Sequence, residues 1–171
     1  TLKIVESELT QYNPSGRVPT LITEEGQIIF DSTVIVHYLD SIGKADTIVS
    51  KNIEEKVKSL KINALVDEVI DSLRHLSFEN RREKDMRLPD WIDALDGKIK
   101  RGIKIIENEL EYLSQPKVDV LDIADVSVII LIGSIRRNPK SLYNIFSEDL
   151  NSWYNGMEKR KSVYETKPPS M

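Results

Sequence analysis

"GRVPTLITEEGQIIFDSTVIVHYLDSIG", residues 16–43, decides the fold. Two short β-rich runs, RVPTLIT and GQIIFD, flank a turn-forming EEG, the pattern of a hairpin. From Ser32 the apolar residues Val34, Ile35, Tyr38, Leu39 and Ile42 recur on one helical face, which predicts a helix that Gly43 is placed to end. Upstream, TLKIVESEL alternates Leu2, Ile4 and Leu9 with polar neighbours and reads as a short strand. TQYNPSG then reads as a loop through its Asn-Pro and Ser-Gly pairs.

Beyond Gly43 the patterning becomes helical, after a linker-like KADTIVSKN. Ile53, Val57, Leu60, Ala64, Val69, Leu73 and Leu76 fall mostly three or four apart and predict a long helix over residues 52–80. The charged NRREKDMRLPD interrupts it, and Ile92, Leu95, Ile99, Ile103, Ile106, Leu110 and Leu113 predict a second helix packed against the first. LDIADVSVIILIGSI is apolar nearly all round and must be a central, buried helix. Asp122 and Asp125, three residues apart at its start, form an acidic variant of a capping box. SEDLNSWYNGMEKRKS predicts a last helix with Leu150, Trp153, Tyr154 and Met157 on its inner face. The expected organisation is a first domain over 1–43, a linker over 44–51 and an all-helical domain over 52–171.

The 171 residues carry a net charge of −4, with 40% hydrophobic and 30% charged residues, the mixture of an ordinary globule. That balance gives no electrostatic reason to expect nucleic acid or an anionic membrane as partner. The absence of cysteine excludes disulfides, thiolate metal sites and a cysteine nucleophile within these residues, and fits the reducing cytoplasm. The longest apolar run, VSVIILIG, is far short of the roughly 20 residues needed to span a bilayer. No leader with a small-residue cleavage site opens the chain. Its start at Thr1, directly in a strand-like segment, raises the expectation that these residues begin inside a larger polypeptide.

Two places could carry chemistry. Val18-Pro19 is either a plain trans proline at a strand start or a cis bond that turns the Val18 backbone toward an extended, peptide-like ligand. Asp31-Ser32 either caps the following helix or offers a carboxylate, a hydroxyl and free amides to an amino-acid head group. His37 has no second ligand at metal spacing, so no metal site is expected. Trp153 and Tyr154 suit core packing better than a substrate platform.

In order, NPSGRVPTLITEEGQIIFDSTVIVHYLD resembles the second half of the thioredoxin-like domain of the glutathione transferase family. There, NP-x-G-[KR]-VP-x-L precedes a strand and an acidic-Ser pair opens the next helix. LDIADVSV resembles the family's [ST]-[IL]-A-D segment at its central helix, with Asp122 in place of the usual Ser or Thr. LNSWYNGMEKRKSVYETKPP resembles the close of many bacterial members, with Lys161 where proline is common. The resemblance implies an α+β chain: a partial thioredoxin-like domain followed by an all-α bundle domain.

It also implies roles. Val18 would offer its backbone to the cysteinyl unit of glutathione, with Pro19 cis. Asp31 would take the ammonium of the γ-glutamyl head group, and Ser32 with the helix amides its carboxylate. Arg17 would approach the glycyl end. His75 and Arg74 would line the cleft for a small electrophile, unless they belong to a solvated charged face. The family lowers the thiol pKa of bound glutathione so that thiolate attacks the electrophile, which needs an anion-stabilising donor beside the sulfur. No residue here occupies that position, so the catalytic residue is expected upstream of Thr1. A homodimer in the cytoplasm is implied, and the competing reading is a non-catalytic interaction or ligand-binding module of the same fold.

Overall fold

Thr20–Ile22 (β1) and Ile28–Phe30 (β2) form an antiparallel hairpin in the computed structural model, which describes residues 8–44, 46–114, 119–137 and 145–167. Thr20 pairs with Phe30, Leu21 with Ile29 and Ile22 with Ile28. The turn closes through Thr23 N–H to the Gln27 carbonyl (2.9 Å) and Gly26 N–H to the Thr23 carbonyl (3.0 Å). Gly26 sits at φ 81°, a conformation that a side chain would oppose. Alternation along β2 buries Ile29 and exposes Ile28 and Phe30.

The predicted strand over TLKIVESEL lies outside the described residues except for its last two positions. Those two belong to a single 3-10 turn, Glu8–Gln11, so Leu9 is not in a strand. The Leu9 carbonyl accepts from both Tyr12 and Asn13, which starts the following loop.

Helix α1, Ser32–Ile42, follows β2 after one residue. Gly43 ends it, but in extended backbone at φ −65° rather than through a left-handed glycine. The chain beyond is tied back by Asp40, whose carboxylate accepts from the Thr47 hydroxyl and, at 2.8 Å, from the Ile48 amide. The Thr47 hydrogen bond is the main reason that the Asp40 carboxyl is held below its usual range.

The chain divides into two compact units, Thr1–Val49 and Ser50–Met171. In the second, α2 (Ile53–Arg81) opens on Asn52, whose side chain accepts from Glu54 and Glu55 N–H at 2.9 and 3.2 Å. Its buried stripe is Ser59, Ile62, Asn63, Val66, Val69 and Ser72, rotated from the apolar stripe read in the sequence. Ile53 and Val57 are 69% and 59% exposed. Serines are tolerated inside because they find partners: Ser72 donates to the Glu68 carbonyl at 2.8 Å, and Ser59 to Asp122 at 2.8 Å.

Pro89–Asn108 (α3) begins with proline, which needs no N–H partner there. The Leu88 amide just before it donates to Glu79 at 3.3 Å, so a buried carboxylate of α2 ties down the chain where α3 begins. The helix stops earlier than its apolar periodicity suggests: Leu110 and Leu113 lie in the turns after it, where Leu113 still reaches the core. Close approach of α2 and α3 depends on Gly102, since a Cβ there would collide with Cγ2 of Val69.

Ile123–Arg136 (α4) is the buried centre, flanked by Ile62, Val66, Ile99, Ile103 and Ile106, and by Leu150, Trp153 and Met157 from α5, Glu148–Met157. Each aliphatic side chain buried this way contributes about 1.5–3 kcal/mol. The single last helix expected over 147–162 is instead two, α5 and α6 (Lys161–Glu165). The chain tightens between them, with Lys159 and Arg160 N–H bonding to the Gly156 and Met157 carbonyls, and Arg160 starts a new helix.

The capping box at the start of α4 is present. Asp122 accepts from Ala124 N–H at 2.7 Å, and Asp125 accepts from Asp122 N–H at 2.8 Å. Asp122 differs from a Ser or Thr cap in its second oxygen, which Ser59 of α2 satisfies while also bonding the Tyr112 hydroxyl at 2.7 Å. Burial pushes the Asp122 carboxyl above its usual range, against the opposing pull of the Ala124 amide and the Ser59 hydroxyl. The folded chain therefore keeps this proton to higher pH than the unfolded chain. The group's contribution to stability is lost as pH rises from the ordinary aspartate value of about 3.9 through the raised folded value. Asp122→Asn keeps a cap but cannot titrate. In denaturant melts across pH 3.5 to 7, its stability is expected to gain on the native chain through that window and then level off. A difference that stays constant with pH would contradict the assignment.

Candidate functional site

The hairpin register brings the two candidate stretches to one end of the sheet. The Thr20–Phe30 pair closes that end of the sheet; Pro19 and Val18 directly precede Thr20 in the chain, and Asp31 and Ser32 directly follow Phe30. Residues a dozen apart in sequence thus share one edge, in one unit of the fold. Val18 is 80% exposed, the Val18–Pro19 bond is cis, and Arg17, Asp31 and Ser32 are exposed beside it.

Asp31 has an unusual backbone, with φ 74° and ψ 128°. Non-glycine residues rarely adopt such positive φ, which costs on the order of 1–3 kcal/mol and is characteristic of functional positions. Its Oδ1 caps α1 by accepting from Thr33 N–H at 3.0 Å and Val34 N–H at 3.4 Å. Oδ2 has no partner among the described residues, nor does the Ser32 hydroxyl. Capping and ligand binding are therefore compatible here: one carboxylate oxygen does the first and the other is open for the second. A free acceptor charge, a hydroxyl and the Ser32 amide at the helix start match a group that carries both an ammonium and a carboxylate.

The loop leading to Val18 is organised by a residue that the sequence reading treated only as punctuation. Asn13 is 1% exposed. Its Oδ1 accepts from Ser15 N–H (2.9 Å) and the Ser15 hydroxyl (2.7 Å), and its Nδ2 donates to the Arg17 carbonyl (2.8 Å) and Thr20 Oγ1 (3.2 Å). The first of these is an Asx turn, which an Asn-Pro pair can signal. Gly16, at φ 61°, completes the bend and donates to the Asn13 carbonyl at 2.8 Å.

Other candidates lie elsewhere. His37 lines a groove of about 480 Å³ with Gln27, Ile28, Ile29, Phe30, Val34 and Tyr38, which does not include Val18, Asp31 or Ser32. Arg74 pairs with Asp71 at 2.9 Å and borders a cavity of about 220 Å³ between α2 and α4. His75 points differently, with its ring centroid 6.4 Å from that of Trp91 on α3. Trp153 and Tyr154 are core residues, and the Trp153 indole donates to the Ser114 carbonyl at 2.8 Å. Among the described residues no group of three His, Cys, Asp or Glu side chains could hold a metal, and no helix is long and apolar enough to cross a membrane.

A hairpin feeding a capped helix, followed by an all-helical unit, is the architecture of a partial thioredoxin-like domain joined to a helical domain. Residues 5–42 match the family described as glutathione S-transferase, N-terminal domain. The "uncharacterized GST-like protein YibF" of Escherichia coli (strain K12) is 26% identical over 165 residues, 96% of this chain and 81% of the relative. A glutathione transferase family member from Pseudomonas fluorescens Pf-5, solved with bound glutathione, superposes with a TM-score of 0.85 at 29% identity, covering 94% of this chain and 78% of that one. A glutathione S-transferase from Methylobacillus flagellatus KT, also solved with glutathione, gives 0.83 at 27% identity, covering 94% and 80%. Residues 5–42 thus match the N-terminal family pattern of glutathione S-transferases, and the fold of the chain is that of solved glutathione transferases.

Proposed function

We propose that this chain binds glutathione at the hairpin edge and serves its conjugation to a small electrophile. The observation that carries the reading is the convergence of the exposed Val18 backbone with the open Asp31 oxygen and the Ser32 hydroxyl at one end of β1 and β2. Asp31 takes the γ-glutamyl ammonium, the Ser32 hydroxyl and amide take its carboxylate, and the Val18 backbone pairs with the cysteinyl unit. Arg17, on the same edge, faces the glycyl carboxylate. Glutathione transferases of the same fold solved with glutathione support the choice of ligand. These residues hold the tripeptide by backbone and charge; activating the thiol needs a further donor at the sulfur.

The reading predicts that isothermal titration with glutathione gives saturable one-to-one binding, and that an activated chloronitroarene is conjugated by a polypeptide that also supplies the donor at the sulfur. Absence of binding would overturn the reading. Binding without turnover would reduce it to the ligand-binding module that is its alternative. Homodimerisation and a cytoplasmic location belong to the same proposal. Light scattering on the eluted protein would show twice the 19.6 kDa chain mass.

A further inference from the structure

We propose that Asn13 and Thr20 are positioning residues for the Val18 amide, holding its N–H toward solvent as a donor to the backbone carbonyl of a peptide-like ligand. The identity of that ligand rests on the glutathione-binding reading; the geometry rests on the loop alone. The Arg17–Val18 peptide is trans, and in a planar trans peptide the carbonyl and the N–H point in opposite directions. Fixing the Arg17 carbonyl therefore fixes the Val18 N–H.

Two donors fix that carbonyl: Asn13 Nδ2 at 2.8 Å and Thr20 Oγ1 at 3.1 Å. Because Asn13 is buried, the carbonyl is turned into the protein and the amide away from it. The clamp is closed on itself, since the second Asn13 Nδ2 hydrogen reaches Thr20 Oγ1, and Ser15 holds the far side of the Asn13 amide. The Val18 amide has no hydrogen bond among the described residues. The next residue, Pro19, has no N–H to offer, so Val18 supplies the donor at this end of β1. An amide already oriented costs little ordering when a ligand arrives.

Titration of glutathione into the native chain, Thr20→Val, Thr20→Ser and Asn13→Ala tests this, with melting curves to check folding and NMR amide exchange at Val18. Thr20→Val keeps shape and β-propensity but loses the hydroxyl, and is expected to bind glutathione about three- to tenfold more weakly, as loss of one neutral hydrogen bond implies. Thr20→Ser restores native affinity. Asn13→Ala loses about tenfold or more. A purely structural role would lower the melting temperature of Thr20→Val while leaving the glutathione affinity of the folded protein unchanged. In the ligand-free native chain, the Val18 amide exchanges at the rate of an open amide, and its shift moves in Thr20→Val. Native affinity in both Thr20→Val and Asn13→Ala, while Asp31→Asn binds weakly, would overturn the clamp and leave the function intact. If the native chain binds no glutathione, the functional reading fails. The clamp is then judged by exchange alone, and a protected Val18 amide, or one with the same shift in Thr20→Val, overturns it.

Discussion

Asp31→Asn is expected to weaken glutathione binding about tenfold while leaving the fold intact. Asparagine tolerates positive φ and caps helices as well as aspartate, so the backbone at φ 74° and the bonds to Thr33 and Val34 survive. What is lost is the charge on the open oxygen. Hydrogen bonds to charged groups are roughly twice as strong as neutral ones, a difference of about 1–1.5 kcal/mol, or about tenfold in affinity. Asp31→Ala goes further, because it removes the ligand contact and the cap together and leaves a Cβ at positive φ without local compensation. Its affinity is expected to fall by about 10- to 150-fold, the equivalent of 1.5–3 kcal/mol, with about 1 kcal/mol lost from the stability of α1. Calorimetric titration with glutathione reads the first quantity and denaturant melts the second. If both variants bind glutathione like the native chain, Asp31 is only a cap.

Asp125→Ala is expected to be the most damaging single change in the helical unit, at about 3–5 kcal/mol. Asp125 is 1% exposed, and its two oxygens accept from the Ser114 and Asp122 amides at 2.8 Å each. Truncation leaves both donors without their charged partner beside a dry core. The loss is large against the 5–15 kcal/mol by which a domain is ordinarily stable. The Ser114 carbonyl also receives the buried Trp153 indole, so tryptophan fluorescence should report the loosening before global unfolding. Asp125→Asn, which retains one acceptor, is expected to lose less. A cost below about 1 kcal/mol for Asp125→Ala in urea melts would mean that both amides find other partners.

Much of the arrangement was legible residue by residue. The hairpin was readable because EEG separates two β-rich runs, and the start of α1 because Asp-Ser follows the second run directly. The acidic capping box of α4 was readable because its two carboxylates act within one turn. The buried face of α2 was not, since hydrophobic periodicity is blind to Ser59 and Ser72, whose burial depends on partners 4 to 63 positions away. The break between α5 and α6 was missed for a similar reason. Leu150, Trp153, Tyr154 and Met157 carry a helical pattern up to the point where the chain tightens, and no proline marks the change.

At the site, local chemistry raised Val18-Pro19 and Asp31-Ser32 as candidates, and the family resemblance added Arg17. Each has a bland local role as well, and local patterns cannot choose between a role and its alternative. The tertiary structure decided three further matters. The pairing of Thr20 with Phe30 brings the segments that adjoin them, Val18-Pro19 and Asp31-Ser32, to one end of the hairpin. Asp31 caps α1 through Oδ1 alone, which leaves its other carboxylate oxygen without a partner among the described residues. Asn13 became part of the site only when the loop closed and its amide met the carbonyl of Arg17. Sequence records which groups are available, but hydrogen bonds between non-adjacent residues and strained backbone exist only once the chain has folded around them.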